Sequence, residues 1–359
     1  MTKGGIQIRY WLYPAALLYQ AVTSLRNKLF DRGWLRSKSF AVPTICIGNL
    51  AVGGTGKTPH TEYLIRMLQS QGLCVATLSR GYKRKSRGFL LADGKSNATL
   101  LGDEPMQMKQ KFPQARVSVC EDRCRGVEEL LKLTAPPVDV ILLDDAFQHR
   151  YLKAGLNILL TDYHRLLCDD FLLPAGTLRE STSGKERADI VVVTKCPDDI
   201  KPIDFNIIGK KLHLYPFQQL YFSTMRYGAL RPLFGQAPHS WQGDEEVLLL
   251  TGIAHPESMV EYLQPRVKRI VPLHFPDHHA FNGTDMKQIA SSFQALPPET
   301  RVLVTTEKDA TRLMCHNLSD KALKERCYAL PIEIEILQNQ QDTFNQNILT
   351  YVRTNPRNS

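Results

Sequence analysis

The chain has no cysteine set with the spacing of a metal site or a redox pair. Its eight cysteines include no CxxC, the closest two being Cys120 and Cys124, so neither structural zinc nor a disulfide framework organises the fold. Cys46, Cys74 and Cys196 stand inside apolar, strand-like runs, where a thiol packs as a small hydrophobe, and a reducing compartment fits this usage. Long hydrophobic runs are also missing. Tyr10 to Leu25 is rich in Trp, Tyr, Leu and Ala, but Pro14 and Gln20 interrupt it, and it is too short to cross a bilayer comfortably. No small-residue cleavage site follows it, which argues against a signal peptide. Repeats, low-complexity tracts and recognisable nucleic-acid modules are absent too. Acidic residues are scarce at one end: residues 1–40 hold seven Lys and Arg against Asp31 alone, most of the net charge of +9. Such a segment suits an anionic partner, whether nucleic acid, acidic lipid headgroups or a phosphorylated substrate.

Within that basic segment Leu18, Val22, Leu25 and Leu29 recur at helical spacing, with Thr23, Arg26, Asn27 and Lys28 elsewhere on the wheel. Together with Trp11, Tyr13 and Trp34 this predicts a helix lying in a membrane interface, or an amphipathic helix packed on its own domain. After Phe40, short apolar runs alternate with helical patterns. Pro43–Leu50, Val75–Leu78, Val117–Cys120, Val138–Leu143, Ile158–Thr161 and Ile190–Thr194 read as strands. Helices are expected over Thr58–Ser70, Glu104–Lys111 and Arg125–Leu133. This order predicts an α/β fold: a parallel sheet with helices on both faces. A second, shorter series follows, with strands at Val247–Gly252 and Val302–Thr305 and helices near Glu257–Leu263 and Thr284–Ala295. The expected division is an interfacial segment over 1–40, a phosphate-binding domain over 41–205, a hinge over 206–243 and a smaller α/β domain over 244–359.

The first strand runs directly into Ala51-Val52-Gly53-Gly54-Thr55-Gly56-Lys57-Thr58 and then a helix, the context that makes a phosphate-binding loop credible. Small residues let backbone N–H groups turn onto phosphate oxygens, and the helix presents its positive end. Lys57 is expected at the β- and γ-phosphates of ATP and the Thr58 hydroxyl at Mg²⁺. The consensus begins with Gly where this chain has Ala51; Pro59 is tolerated because a helix's first turn leaves that N–H without a partner. A metal partner is expected at the end of a later apolar strand, and Val138-Asp139-Val140-Ile141-Leu142-Leu143-Asp144-Asp145 supplies paired carboxylates there.

The loop alone names no phosphoryl acceptor. A soluble small-molecule kinase or ligase, or a slow nucleotide-controlled switch, would carry it equally well. Further motifs follow in order: Ser79-Arg80-Gly81-Tyr82, Gly102-Asp103-Glu104-Pro105, Asp144-Asp145-Ala146-Phe147-Gln148-His149, Leu173-Pro174-Ala175-Gly176-Thr177-Leu178-Arg179-Glu180, Thr251-Gly252-Ile253-Ala254, Phe275-Pro276-Asp277-His278-His279 and Thr305-Thr306-Glu307-Lys308-Asp309-Ala310. The succession resembles the tetraacyldisaccharide 4′-kinase family of Gram-negative lipid A biosynthesis, from the N-terminal helix to about Leu313. The resemblance implies transfer of the ATP γ-phosphate to the 4′-hydroxyl of an acylated disaccharide 1-phosphate lipid, giving lipid IVA. It further implies Mg²⁺ and a peripheral location at the cytoplasmic face of the inner membrane, with no nucleic-acid or protein partner. Carried onto this chain, the catalytic base falls on Asp103, assisted by His278, with Lys57 on the transferred phosphate. Asp144, Asp145 and Glu180, beside Thr58, take metal or active-site roles. Ala146 stands where the family has Gly, Lys83 where Gly is common, and Thr177 and Ser181 where it has prolines; none of these removes a charged group. Read from the residues alone, Asp103 could equally cap the helix it precedes. Arg80, Arg123, Arg150, Arg179 and Lys308 could contact phosphate or form ordinary surface ion pairs.

Overall fold

The computed structural model describes residues 9–253, 256–277, 279, 281–316 and 320–355. Ala254 and His278, both named above, lie outside them. The strands predicted to be buried form because they are apolar on both faces. Every residue of Thr44–Asn49, Val75–Ser79, Val140–Asp144 and Ile190–Thr194 is buried. Successive side chains alternate between two cores. Ile45, Ile47, Val140, Leu142 and Val192 face one, under Leu64, Ile65 and Leu68 of the helix Lys57–Ser70. Cys46, Ile141, Leu143, Val191 and Val193 face the other, covered by Val127, Leu130, Ile208 and Leu212.

Among the described residues the larger sheet has nine strands, in the order Ile332–Ile336, Gln219–Tyr227, Ile190–Thr194, Leu156–Asp162, Thr44–Asn49, Val140–Asp144, Val75–Ser79, Arg116–Val119 and Leu90–Leu91. The two end strands are antiparallel and the rest parallel. Thr44–Asn49 lies at the middle, with Val140–Asp144 on one side and Leu156–Asp162 on the other. The chain order reverses across it, the place where open α/β sheets bind ligands. The smaller unit is a five-stranded sheet ordered Arg269–His274, Glu246–Thr251, Arg301–Thr306, Cys327–Leu330 and Arg231–Pro232, of which the last pair is antiparallel.

The division between the units differs from the expected one. Pro202–Leu212 packs Ile208 and Leu212 into the larger core, and Gln219–Tyr227 pairs with Ile190–Thr194, so most of the expected hinge belongs to the first unit. The C-terminal stretch returns to it as well. Ile332–Ile336 pairs with Gln219–Tyr227, and Gln341–Arg353 buries Phe344, Ile348, Leu349 and Val352 against the larger sheet. The smaller unit therefore spans roughly residues 230–330, entered at Gly228 and left at Pro331, and the Gly228 N–H donates to the Pro331 carbonyl at 3.0 Å. The physical reason is edge pairing: Ile332, Ile334 and Ile336 alternate with Glu333 and Glu335, the half-buried pattern of a sheet edge.

The N-terminal helix spans Tyr13–Asp31, with Pro14 in its first turn. It buries only Ala16 and Phe30, while Leu17, Leu18, Val22 and Leu25 point away from the protein beside exposed Trp11 and Trp34. Polar residues make its attachments: the Tyr19 hydroxyl donates to the Arg179 carbonyl at 2.8 Å, and Asn27 donates to Glu180 Oε2 at 2.9 Å.

Candidate active site

The parallel pairing of Thr44–Asn49 with Val140–Asp144 sets Ile47 opposite Asp144, so the phosphate loop and the acid pair leave the sheet side by side. Gly48 makes this close approach possible: a Cβ there would stand 2.6 Å from Phe147 Cβ. Gly56 caps the following helix in the left-handed region, φ +84°, and an added Cβ would meet Met225 Cε at 2.5 Å. Only glycine fits, and its lack of a side chain leaves the helix N-terminus open to an anion. The loop is braced from outside, as the Val52 N–H donates to the Thr177 carbonyl and the Arg179 N–H to the Leu50 carbonyl, each at 2.7 Å. From within, Asn49 donates to Thr55 Oγ1 at 2.8 Å and Thr194 Oγ1 to the Thr55 carbonyl at 2.9 Å.

Lys57 Nζ lies 3.3 Å from Asn49 Oδ1 and 3.7 Å from Asp145 Oδ1. Arg179 grips the same carboxylate with both nitrogens, at 2.8 and 3.3 Å, and also reaches Asn49 Oδ1. Burial opposes ionisation of Asp145, but Lys57 and Arg179 outweigh it and hold its pKa below the ordinary value. Asp144 is the opposite case. It is buried, receives a 3.2 Å hydrogen bond from Thr61 Oγ1, and is pushed up to about 7 by burial and then by the charges of Glu104 and Asp145. Glu104 and Asp145 gather negative charge about this carboxylate at the mouth of the loop, the chemistry that attracts a divalent cation. Behind the loop, His60 bridges the Gly56 carbonyl at 2.7 Å and Ser223 Oγ at 3.0 Å, and burial lowers its pKa to about 4, so it acts as a neutral brace.

Glu180 is not brought to this cluster. Arg187 donates to its Oε1 at 2.7 Å and Gln148 at 3.1 Å, while Asn27 holds its Oε2. Gln148 also donates to the Asn49 carbonyl at 2.8 Å, so Glu180 ties the N-terminal helix to the strand carrying the loop. Asp103 is the first residue of the helix Asp103–Lys111, whose cap is Gly102, with φ +92° and no side-chain bond. Its Oδ2 meets Arg312 Nη2 of the smaller unit. His278 is outside the described residues. Of its neighbours, Asp277 pairs with Lys308 at 3.0 Å, and His279 bonds Asp285 at 2.8 Å while stacking on Phe275. His279 and Lys308 thus have structural partners, and Arg150 pairs with Asp31 at 2.6 Å on the N-terminal helix.

The sequence model of the family described as tetraacyldisaccharide-1-P 4′-kinase matches residues 8–353. The chain belongs to that family. Tetraacyldisaccharide 4′-kinases of Bacteroides fragilis strain YCH46 and Bacteroides thetaiotaomicron are 60% and 59% identical to it, each alignment covering 100% of this chain and 97% of the relative. The crystal structure of the "apo" form of LpxK from Aquifex aeolicus, in complex with ATP, superposes with a TM-score of 0.76 at 30% identity, covering 96% of this chain and 100% of that one.

The phosphate loop and the acid pair come together as the motifs predict, while Glu180 does not join them, and several neighbours of the site escape motif reading. Glu104 and the buried Arg123 act on Asp144 through space. Asn49 and Thr61 hydrogen-bond the loop and the acid pair. The signals were modest: Asn49 ends the strand before the loop, Thr61 lies one turn beyond Lys57, and Glu104 adjoins Asp103.

Proposed function

We propose that the chain is an ATP-dependent kinase that phosphorylates the 4′-hydroxyl of tetraacyldisaccharide 1-phosphate in lipid A biosynthesis. The observation that carries this is the register of Thr44–Asn49 with Val140–Asp144, which sets a glycine phosphate loop beside a buried acid pair in a chain matched by the family model over residues 8–353. Loop N–H groups and Lys57 hold the triphosphate, and Arg179 and Asp145 fix Asn49 and Lys57 behind it. Thr58 and Asp144 would hold Mg²⁺, which would supply positive charge to the phosphates; Asp145, expected beside them, is taken up by Lys57 and Arg179. Glu180 is better read as the tie to the N-terminal helix than as a metal ligand, because three donors occupy it.

Asp103 accepts the proton of the 4′-hydroxyl as its oxygen bonds to the γ-phosphorus and the bond to the β–γ bridging oxygen breaks, releasing ADP. His278 orients or charges that base. The acceptor is delivered from a membrane surface. Among the described residues no helix is long and apolar enough to cross a membrane, and the outward stripe of the helix Tyr13–Asp31, with Trp11 78% exposed and Leu18 70%, matches a helix lying in the interface. A soluble enzyme would have no use for that stripe. The deciding experiment incubates the purified chain with ATP, Mg²⁺ and the disaccharide 1-phosphate lipid in detergent. The expected product is a bisphosphorylated lipid by mass; ADP release with the lipid unmodified would defeat the reading.

A further inference from the structure

Arg312 lies between two carboxylates that belong to different units. Its guanidinium is 7% exposed, with Nη2 on Asp103 Oδ2 and Nη1 on Asp309 Oδ1 at 3.1 Å. Asp309 is fully buried and is itself fixed, since its Oδ2 accepts the Gly252 N–H at 2.8 Å and the Thr306 hydroxyl at 2.7 Å. A continuous set of charge-assisted hydrogen bonds therefore runs from the loop after strand Glu246–Thr251, through Asp309 and Arg312, to Asp103 at the sheet edge of the larger unit. The two helices involved meet at their other ends as well. Lys111, last residue of the helix Asp103–Lys111, contacts Glu307, first residue of Glu307–Leu313, at 2.8 Å, and Glu62 at 2.7 Å. The contact of Lys111 with Glu307 already clamps the units together, so joining them does not by itself call for an arginine on Asp103.

We propose that Arg312 is a positioning residue for phosphoryl transfer, aiming the Asp103 carboxylate through Asp309 so that the base is set only when the smaller unit is seated. This rests on the reading of Asp103 as the base. A planar guanidinium held at one end by a buried aspartate fixes the rotamer of the carboxylate at its other end. Transfer through a loose transition state needs little proton removal before the barrier, so aim counts for more than basicity.

The test uses the full-length protein with ATP, Mg²⁺ and the lipid acceptor in detergent, with thermal melts run beside the kinetics. Arg312→Gln keeps the volume and loses the charge. It should lower kcat by ~10–10³-fold, the scale on which misplacement of about 1 Å acts, with KM for ATP within about threefold of the parent. Arg312→Lys, which retains the charge without the fork, should recover part of that loss and secures the comparison if the Gln variant melts early. In an Asp103→Asn background, Arg312→Gln should add little. If Asp103→Asn is crippled while Arg312→Gln turns over within twofold of the parent, Arg312 does not position the base, and the base reading stands. Losses that multiply in the double variant show that Arg312 acts on something other than Asp103 and overturn the inference equally. Near-normal turnover by Asp103→Asn would instead remove the base reading on which the inference depends.

Discussion

At the scale of single residues the phosphate site is the part most open to direct challenge. Lys57→Ala and Thr58→Ala should each lower turnover by orders of magnitude while leaving the melting temperature close to that of the parent, because both side chains act on bound nucleotide and metal. Near-normal turnover in both variants would sink the phosphate-loop assignment. Asp103→Asn should reduce kcat by ~10²–10⁴-fold with a modest change in KM for ATP. If His278 and Asp103 act as a unit, adding His278→Ala should cost little more; strictly multiplicative losses would separate them. His149 carries a prediction about pH. Burial first, then Arg123, lowers its pKa to about 4. The unfolded chain therefore takes up this proton near pH 6.5, before the folded one does. Stability from a neutral His149 is intact above about pH 6.5 and is lost as pH falls toward 4. The melting temperature of His149→Gln should decline less steeply across that window than that of the parent, and parallel curves would refute it. Residues such as Lys57, Asp103 and Asp144 were legible because motifs mark them. Arg312 was not, since its partner Asp103 lies 209 residues away in the chain and nothing local signals a pair of that span.

At the scale of elements, the buried strands could be read because a strand covered on both faces must be a nearly continuous apolar run. Edge elements hide better. Ile332–Ile336, the edge strand, alternates polar with apolar residues because one face is covered, and Gln219–Tyr227 beside it buries Tyr221–Thr224 but has polar residues at its ends and within it, so its run is too short and mixed to stand out from the expected hinge. The N-terminal helix was legible as amphipathic, but periodicity alone could not say which way its stripe points. The structure turns Leu18, Val22 and Leu25 outward, which favours an interfacial role. The intact protein should therefore sediment with anionic vesicles without ATP, and high salt should weaken this, each basic residue near the surface contributing about 1 kcal/mol. Deleting the first 35 or so residues should raise the apparent KM for lipid far more than that for ATP. A truncated protein that phosphorylates vesicle-borne lipid as well as the intact chain would reduce the segment to scaffolding. The bonds of Asn27 to Glu180 and of Tyr19 to Arg179 make a second, control variant useful. Leu18→Ser with Val22→Ser changes only the outward stripe and should reproduce the lipid effect.

At the scale of the whole molecule, the units are joined through a buried ionic cluster. Lys111 is 9% exposed between Glu62 and Glu307, and burial, with Glu307 beside it, raises the pKa of Glu62 despite the lysine. Removing Lys111 leaves two buried carboxylates facing each other, a change of ~3–5 kcal/mol where one partner of a buried pair is deleted. Calorimetry of Lys111→Ala should show the smaller unit melting ahead of the larger one. An unchanged transition would mean that the cluster contributes nothing to the interface.

The return of the chain to the larger sheet has a consequence for how the protein is made. Residues 230–330 are an insertion, and the strand Ile332–Ile336 and helix Gln341–Arg353 that complete the larger core leave the ribosome last. The outward-facing N-terminal helix leaves it first. The smaller unit, contiguous in sequence, can thus fold while the larger sheet is still open. Met225, which packs against Gly56 of the phosphate loop, lies in the strand to which Ile332–Ile336 pairs. Nucleotide binding is therefore expected to appear only after Ile332–Ile336 has paired, well after the phosphate loop itself has been made.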